Sequence, residues 1–182
     1  MIYRFVIISS EAKDFRRDLR ISGSSTFLDL HNALTEALGY DPKEPAIFRI
    51  TDERWNPTDD IYLYDMGYGS AEEDIRIMSD TELDEFLDTE KQRMLYTFDL
   101  VGNRSLYIEL REIVLGESID KPEVVRSSGE PPVQLTDIDD FLASPVAPAT
   151  TAGVTEDYGF SSDGGYNEED LSDLDITTEE DL

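Results

Sequence analysis

The chain contains no cysteine. That excludes disulfides, thiolate nucleophiles and cysteine-held zinc together. It has one histidine, His31, so a histidine metal pair cannot be assembled, and a Ser-His-Asp relay would have to be built around that single imidazole. Its position between the apolar stripe and the rim of a predicted helix reads as a partly buried helix histidine. Cations are scarce as well: 15 Lys+Arg stand against 42 Asp+Glu, a formal charge of -27 at pH 7. Attraction to nucleic-acid phosphates or to anionic membranes requires clustered Lys and Arg. The full-length chain is therefore expected to bind neither directly, and a basic protein is the expected long-range partner. No apolar run approaches the roughly 18 to 20 residues of a membrane helix. The opening MIYRFVIISSEAK imitates a short signal segment, but Arg4 interrupts it and no small-residue cleavage site follows, so it reads as a first strand. Reducing cytoplasm is the expected compartment.

What charge there is lies unevenly along the chain. Residues 1 to 115 hold 13 Lys+Arg and 24 Asp+Glu, whereas residues 116 to 182 hold 2 and 18, and no basic residue follows Arg126. A segment so imbalanced repels itself and favours solvent. The expected organisation is one domain over 1-115 and an acidic, largely disordered tail over 116-182. Pro122, Pro131, Pro132, Pro145 and Pro148 break any long element in that tail.

Periodicity outlines the domain. Met94, Tyr96, Phe98 and Leu100 alternate with Leu95, Thr97 and Asp99; after a turn at Val101 to Arg104, Leu106, Ile108 and Leu110 alternate with Tyr107, Glu109 and Arg111. A period of two over both stretches predicts a hairpin of half-buried strands. Ile2 to Ser9 and Phe15 to Ile21 predict another. Phe27, Leu30, Leu34 and Leu38, with Ala33 and Ala37 beside them, form the stripe of a helix capped by Thr26, with Asp29 in its first turn and Gly39 past its end. Ala46 to Thr51, Ile61 to Tyr64 and Ile75 to Met78 predict shorter strands. Ser79 with Glu82 resembles a capping box and, with Leu83, Phe86 and Leu87, predicts a second helix. The expected fold is α+β: a mostly antiparallel sheet, two amphipathic helices on one side of it, and a strand-strand-helix-strand opening compatible with a β-grasp core. Phe5, Leu19, Phe27, Leu30, Leu34, Phe48, Leu83, Phe86, Phe98 and Ile108 are its expected core.

Candidate sites are few. Lys13, Arg16, Arg17 and Arg20 make the one basic cluster; it can dock an anion or an acidic segment, or it is a solvated face paired with carboxylates of the same domain. Trp55, in a loop before the turn signal Asn56-Pro57, can hold a ligand or cover a core edge. Asp65-Met66-Gly67-Tyr68-Gly69-Ser70 has two glycines but no following lysine, and Glu72, Glu73 and Asp74 would repel phosphate. With Asp65 those carboxylates can contribute oxygen ligands to a hard cation, though the spacing matches no calcium loop. No metal ligand set, cofactor or catalytic residue is assigned. In the tail, Leu135, Ile138, Phe141 and Leu142 sit at helical spacings among acids, and Tyr158 and Phe160 begin a second apolar island. These are the candidate partner-binding residues, because acids alternating with single large apolar side chains suit a basic, apolar groove on another protein.

The order of short motifs is more specific. A helix ending LGY, then FRI, Trp55, IYLYDMG, EKQ, LYTFD and YIELREI resemble the plasmid pRiA4b ORF-three-like family, also described as an insertion-element passenger protein family, over about residues 1-115. The resemblance implies an α+β domain without agreed catalytic residues, often encoded on plasmids or mobile elements. Many relatives carry a pattern like YDFGDxWxH where this chain has Tyr96 to Arg104, and a histidine-containing run before FRI where it has Glu44 to Ile47. Of that polar set only Asp99 remains. The favoured function is a non-catalytic interaction module that binds another protein. The alternatives are a DNA-mimicking or tail-autoinhibited DNA accessory protein, in which tail carboxylates occupy the Lys13 to Arg20 face, and a carboxylate-metal enzyme using Asp65, Glu72, Glu73 and Asp74.

Overall fold

Strand alternation divides the side chains of one sheet between two unlike faces. The computed structural model describes residues 1-65 and 75-135, all within the unit Met1-Leu142. Its strands are β1 (Ile2-Ser9), β2 (Arg16-Ser22), β3 (Ile47-Thr51), β4 (Pro57-Tyr62), β5 (Arg76-Ile77), β6 (Arg93-Asp99), β7 (Arg104-Val114) and β8 (Glu123-Ser128). They form a single sheet in the order β5-β4-β3-β6-β7-β1-β2-β8. Every neighbouring pair is antiparallel except β4 and β5. The strand-strand-helix-strand opening is present, and the sheet it feeds has β1 flanked by antiparallel β2 and β7.

Register explains the core. Phe5 lies opposite Leu19 and Leu110, Ile7 opposite Ile108, Met94 opposite Ile108, and Tyr96 opposite Phe48 and Leu106. Opposed residues share a face, so these side chains form one apolar surface, and all are buried. Helix α1 (Phe27-Leu38) covers it with Phe27, Leu30, Leu34 and Leu38. Phe27 meets Phe48 with ring centroids 5.4 Å apart, and Phe48 meets Tyr96 at 4.9 Å. The helix is bounded as its sequence predicts. Thr26 and Asp29 satisfy each other's backbone N-H groups, and Gly39, at φ 70°, ends it in the left-handed conformation. Nine of the ten expected core residues are buried; the tenth, Phe86, is partly buried against them.

The expected second helix does not form: α1 is the one α-helix among the described residues, and Leu83-Glu85 makes only a single 3-10 turn. The first backbone donors of the expected helix are taken by another segment. Leu83 N-H donates to the Ser25 carbonyl and Asp84 N-H to that of Gly23, while Thr81 accepts from Phe27 N-H. Ser79 Oγ donates to Asp80 instead of capping. The segment thus fastens the β2-α1 connection, and Gln92, donating to Phe86 O and accepting from Asp88 and Thr89 N-H, turns the chain into β6.

The sheet also continues beyond the expected domain boundary at residue 115. β8 pairs with β2, and Arg17 secures its end, one guanidinium nitrogen donating to Arg16 O at 3.0 Å, Ser128 O at 2.7 Å and Gly129 O at 3.1 Å. Gly129 has φ 67° there, and a β-carbon on it would lie 2.4 Å from Asp14 O, so only glycine lets the strap pass. Beyond it, Tyr40 Oη donates to Pro132 O, and Gln134 exchanges hydrogen bonds with the Asp41 backbone. Residues 116-135 are therefore part of the fold and not of a tail.

Candidate interaction surfaces

One helix is too narrow for eight strands. At about 4.8 Å between strands and a helix diameter of about 10 to 12 Å, α1 spans only part of the face it packs on. Its rings lie over β3 and β6, through Phe48 and Tyr96. On the other flank a groove of about 670 Å³ opens between α1 and the β2-β8 edge. Asp29, Asn32, Ala33, Glu36 and Ala37 form the helix wall; Leu19 and Val124 line it from the sheet; Lys121 and Pro122 close the far side. Leu19 is opposite Val124 in the β2-β8 ladder, so both belong to the helix-bearing face, and Val124 is 45% exposed there.

The opposite sheet face carries charge and hydroxyls. Arg4 meets Glu112 at 3.0 Å, Arg16 meets Asp18 at 2.6 Å, Arg93 meets Glu109 at 3.4 Å and Arg49 lies 3.7 Å from Asp60. Thr97 and Ser105 share a hydrogen bond of 2.9 Å. The bond from Arg16 holds the Asp18 carboxyl below the usual carboxylate range, with burial opposing it. Trp55 folds onto this face, its ring 5.0 Å from that of Tyr107 with Arg93 above it. It covers the charged sheet face and not, as expected, an edge of the core. A smaller cavity of about 300 Å³ lies nearby, lined among others by Glu11, Arg49, Arg104 and Tyr107. Two of its charges already neutralise each other, since Arg104 and Glu11 are 2.7 Å apart.

The predicted basic cluster does not share a face. Arg16 and Arg20 lie on the charged side, Arg20 against Glu117 at 3.1 Å and Glu123 at 3.7 Å. Arg17 points to the other side and is buried, its guanidinium over the Phe15 ring. Lys13 is exposed in the intervening turn. His31 is 1% exposed. Its Nε2 is 3.0 Å from Pro42 O, which can only accept, so Nε2 carries the proton and Nδ1 accepts from Tyr96 Oη at 2.9 Å. Both nitrogens are thus engaged, and burial pushes the imidazole below its ordinary pKa, a hydrogen bond to Pro42 opposing. Burial pushes the Tyr96 phenol up, and also that of Tyr40, to about 12. Asp99 accepts from Gly102 N-H at 2.8 Å and faces Arg104 at 3.5 Å, a turn-forming role.

Among the predicted tail residues, Leu135 is half exposed. Ile138, Phe141, Leu142, Tyr158 and Phe160 lie outside the described residues, as do Glu72, Glu73 and Asp74. Among the described residues no group of three His, Asp or Glu side chains is placed to hold a metal, and no helix is long and apolar enough to cross a membrane. The groove beside α1 was not anticipated from the sequence. Its signal was the pair Ala33 and Ala37, one turn apart and flanked by Asp29 and Glu36, which reads equally well as the margin of the buried stripe.

Comparison with known proteins follows the fold. The model of the family described as plasmid pRiA4b ORF-3-like protein matches residues 2-141. The chain belongs to that family. The match reaches past β8, consistent with a fold that includes this strand. A solved structure, that of a protein of unknown function, MM3350 from Methanosarcina mazei Go1, is similar with a TM-score of 0.52 and 18% identity, covering 69% of this chain and 68% of its own. At that identity the likeness is one of fold. No curated protein matches the chain.

Proposed function

We propose that this family member is a non-catalytic protein-interaction module that takes up a basic partner. The observation that carries the reading is the charge left over once the sheet's ion pairs are made. Seven arginines, Arg4, Arg16, Arg20, Arg49, Arg93, Arg104 and Arg111, each have a carboxylate within 3.7 Å. With these cations compensated, the formal excess of 27 negative charges remains to act on a partner. Such a field accelerates encounter with a cationic protein and opposes approach of a polyanion. The non-catalytic part is supported by His31, whose two nitrogens are both committed inside the core.

The DNA-accessory alternative has less support, because Arg17 is separated from Arg16 and Arg20 and is buried. The test is affinity capture from native host lysate by the full-length chain, at low and at high salt. A basic protein retained in stoichiometric amount and released by salt is the expected result. Retention of nucleic acid, or of no stoichiometric protein at low salt, overturns the reading.

A further inference from the structure

We infer that the groove between α1 and β8 is the seat of an amphipathic helix from that partner, docking with lysine or arginine toward α1 and apolar side chains toward Val124. The inference rests on the interaction-module reading and adds where the contact is made and with what.

Several observations converge on this groove. The floor and the small residues of the helix wall give apolar surface: Leu19 and Val124 from the sheet, Ala33 and Ala37 from α1. Two alanines four residues apart remove side-chain bulk from one line along the helix, so a second helix can approach α1 closely. The volume, about 670 Å³, takes a few side chains, which is what a helix supplies through anchors at i, i+3 or i+4, and i+7. A layer of helices on a sheet is the usual way to bury such a face, and here the position beside α1 is vacant among the described residues.

The charges select the partner. Asp29 and Glu36 are seven residues apart, two turns along the same side of α1, and both line the groove. Glu36 is exposed and is bound to no cation among the described residues. Asp29 spends one oxygen on the Thr26 cap and keeps the other. The opposite charge in the groove is Lys121, at the far wall. A basic helix aligned with α1 therefore meets two carboxylates at the spacing of its own two turns. The chain's own residues 136-182 hold 14 carboxylates and no Lys or Arg, so they lack the cations that this wall would select.

The test uses the full-length protein and a designed 15-residue helical peptide carrying leucines at i, i+4 and i+7 with lysines two turns apart on the adjacent side. Its control is a scrambled peptide of equal charge. Binding is followed by amide chemical shifts in isotope-labelled protein. Saturable shifts at Ala33, Ala37, Lys121 and Val124 are expected with the amphipathic peptide and not with the scramble. E36K should weaken binding about tenfold, and V124S should weaken it at unchanged charge. Glu36 and Val124 are both solvent-exposed, so each variant keeps the fold, which the unperturbed spectrum confirms. Absence of saturable shifts up to millimolar peptide overturns the inference, as do shifts that map elsewhere or resist E36K. Failure here is separable from failure of the broader reading: a partner captured from lysate equally well by E36K leaves the interaction module standing and removes the groove.

Discussion

The two faces of this sheet are made by the same strands and are stabilised in different ways. On the side of α1, residues such as Phe5, Phe48, Tyr96 and Leu106 are fully buried and meet at ring and aliphatic contacts. On the other side, Arg4, Arg49 and Arg93 lie across from carboxylates, Arg16 pairs with Asp18 of its own strand, and all four stay partly in water. Removing apolar area from water gives roughly 25 cal/mol per Å² and is not subject to electrostatic screening. An exposed ion pair contributes about 0 to 1 kcal/mol and is screened. One face therefore carries most of the stability, and the other holds the sheet's arginines in pairs with carboxylates.

The strongest way to break that contrast is to empty the buried face. Phe48→Ala removes a ring that touches both Phe27 and Tyr96. The expected loss is about 3 to 5 kcal/mol in urea unfolding, enough to leave many small domains partly unfolded. A loss below about 1 kcal/mol would mean that the helix-bearing face is not the stabilising one.

A smaller effect separates the faces by pH. His31 belongs to the buried face, and its pKa is lowered by burial. Above the ordinary histidine value of about 6.5, folded and unfolded chains are both neutral at this site, and its contribution is fully present. As pH falls below that value the unfolded chain takes up a proton that the folded core refuses. Stability then declines until the pH passes the lowered folded value, and stays flat below it. The slope cannot exceed about 1.4 kcal/mol per pH unit for one proton. Urea midpoints compared between pH 7 and 5.5 should fall in the wild type and change less in His31→Gln. Parallel curves for the two proteins would show that the imidazole is not held neutral.

How much of this could be read from the sequence depended on whether a signal was local. The Thr26 cap, the Gly39 stop and the alternation of Met94 to Leu110 are written in adjacent residues, and the corresponding elements formed as expected. The second helix failed because its first donors, Leu83 and Asp84 N-H, found carbonyls about 60 residues earlier in the chain. A capping box cannot report such a competitor. β8 was hidden for a related reason. EVVRSS lies among acids and prolines and is exposed along its whole length, so its identity as a strand comes from the free edge of β2 and the reach of Arg17. The groove was harder still, since it is defined by what one helix leaves uncovered. No residue in it is unusual by type.

The smallest expected effect is on the charged face, and it is the most discriminating. Arg4 and Glu112 are cross-strand partners 3.0 Å apart, with side chains 44% and 48% exposed. Water solvates both ions in either state, and holding two long side chains in one geometry costs rotamer entropy that offsets most of the attraction. A double-mutant cycle of Arg4→Ala and Glu112→Ala should therefore give a coupling of no more than about 1 kcal/mol, shrinking toward zero at 1 M salt, where the screening length is about 3 Å. A coupling of several kcal/mol that survives salt would require the pair to be desolvated, and so would require something to cover this face. Measured in the presence of a captured partner, the same cycle locates the partner. Coupling unchanged on binding leaves the charged face in water and the contact elsewhere, whereas a coupling that rises and loses its salt dependence puts the partner on the arginines.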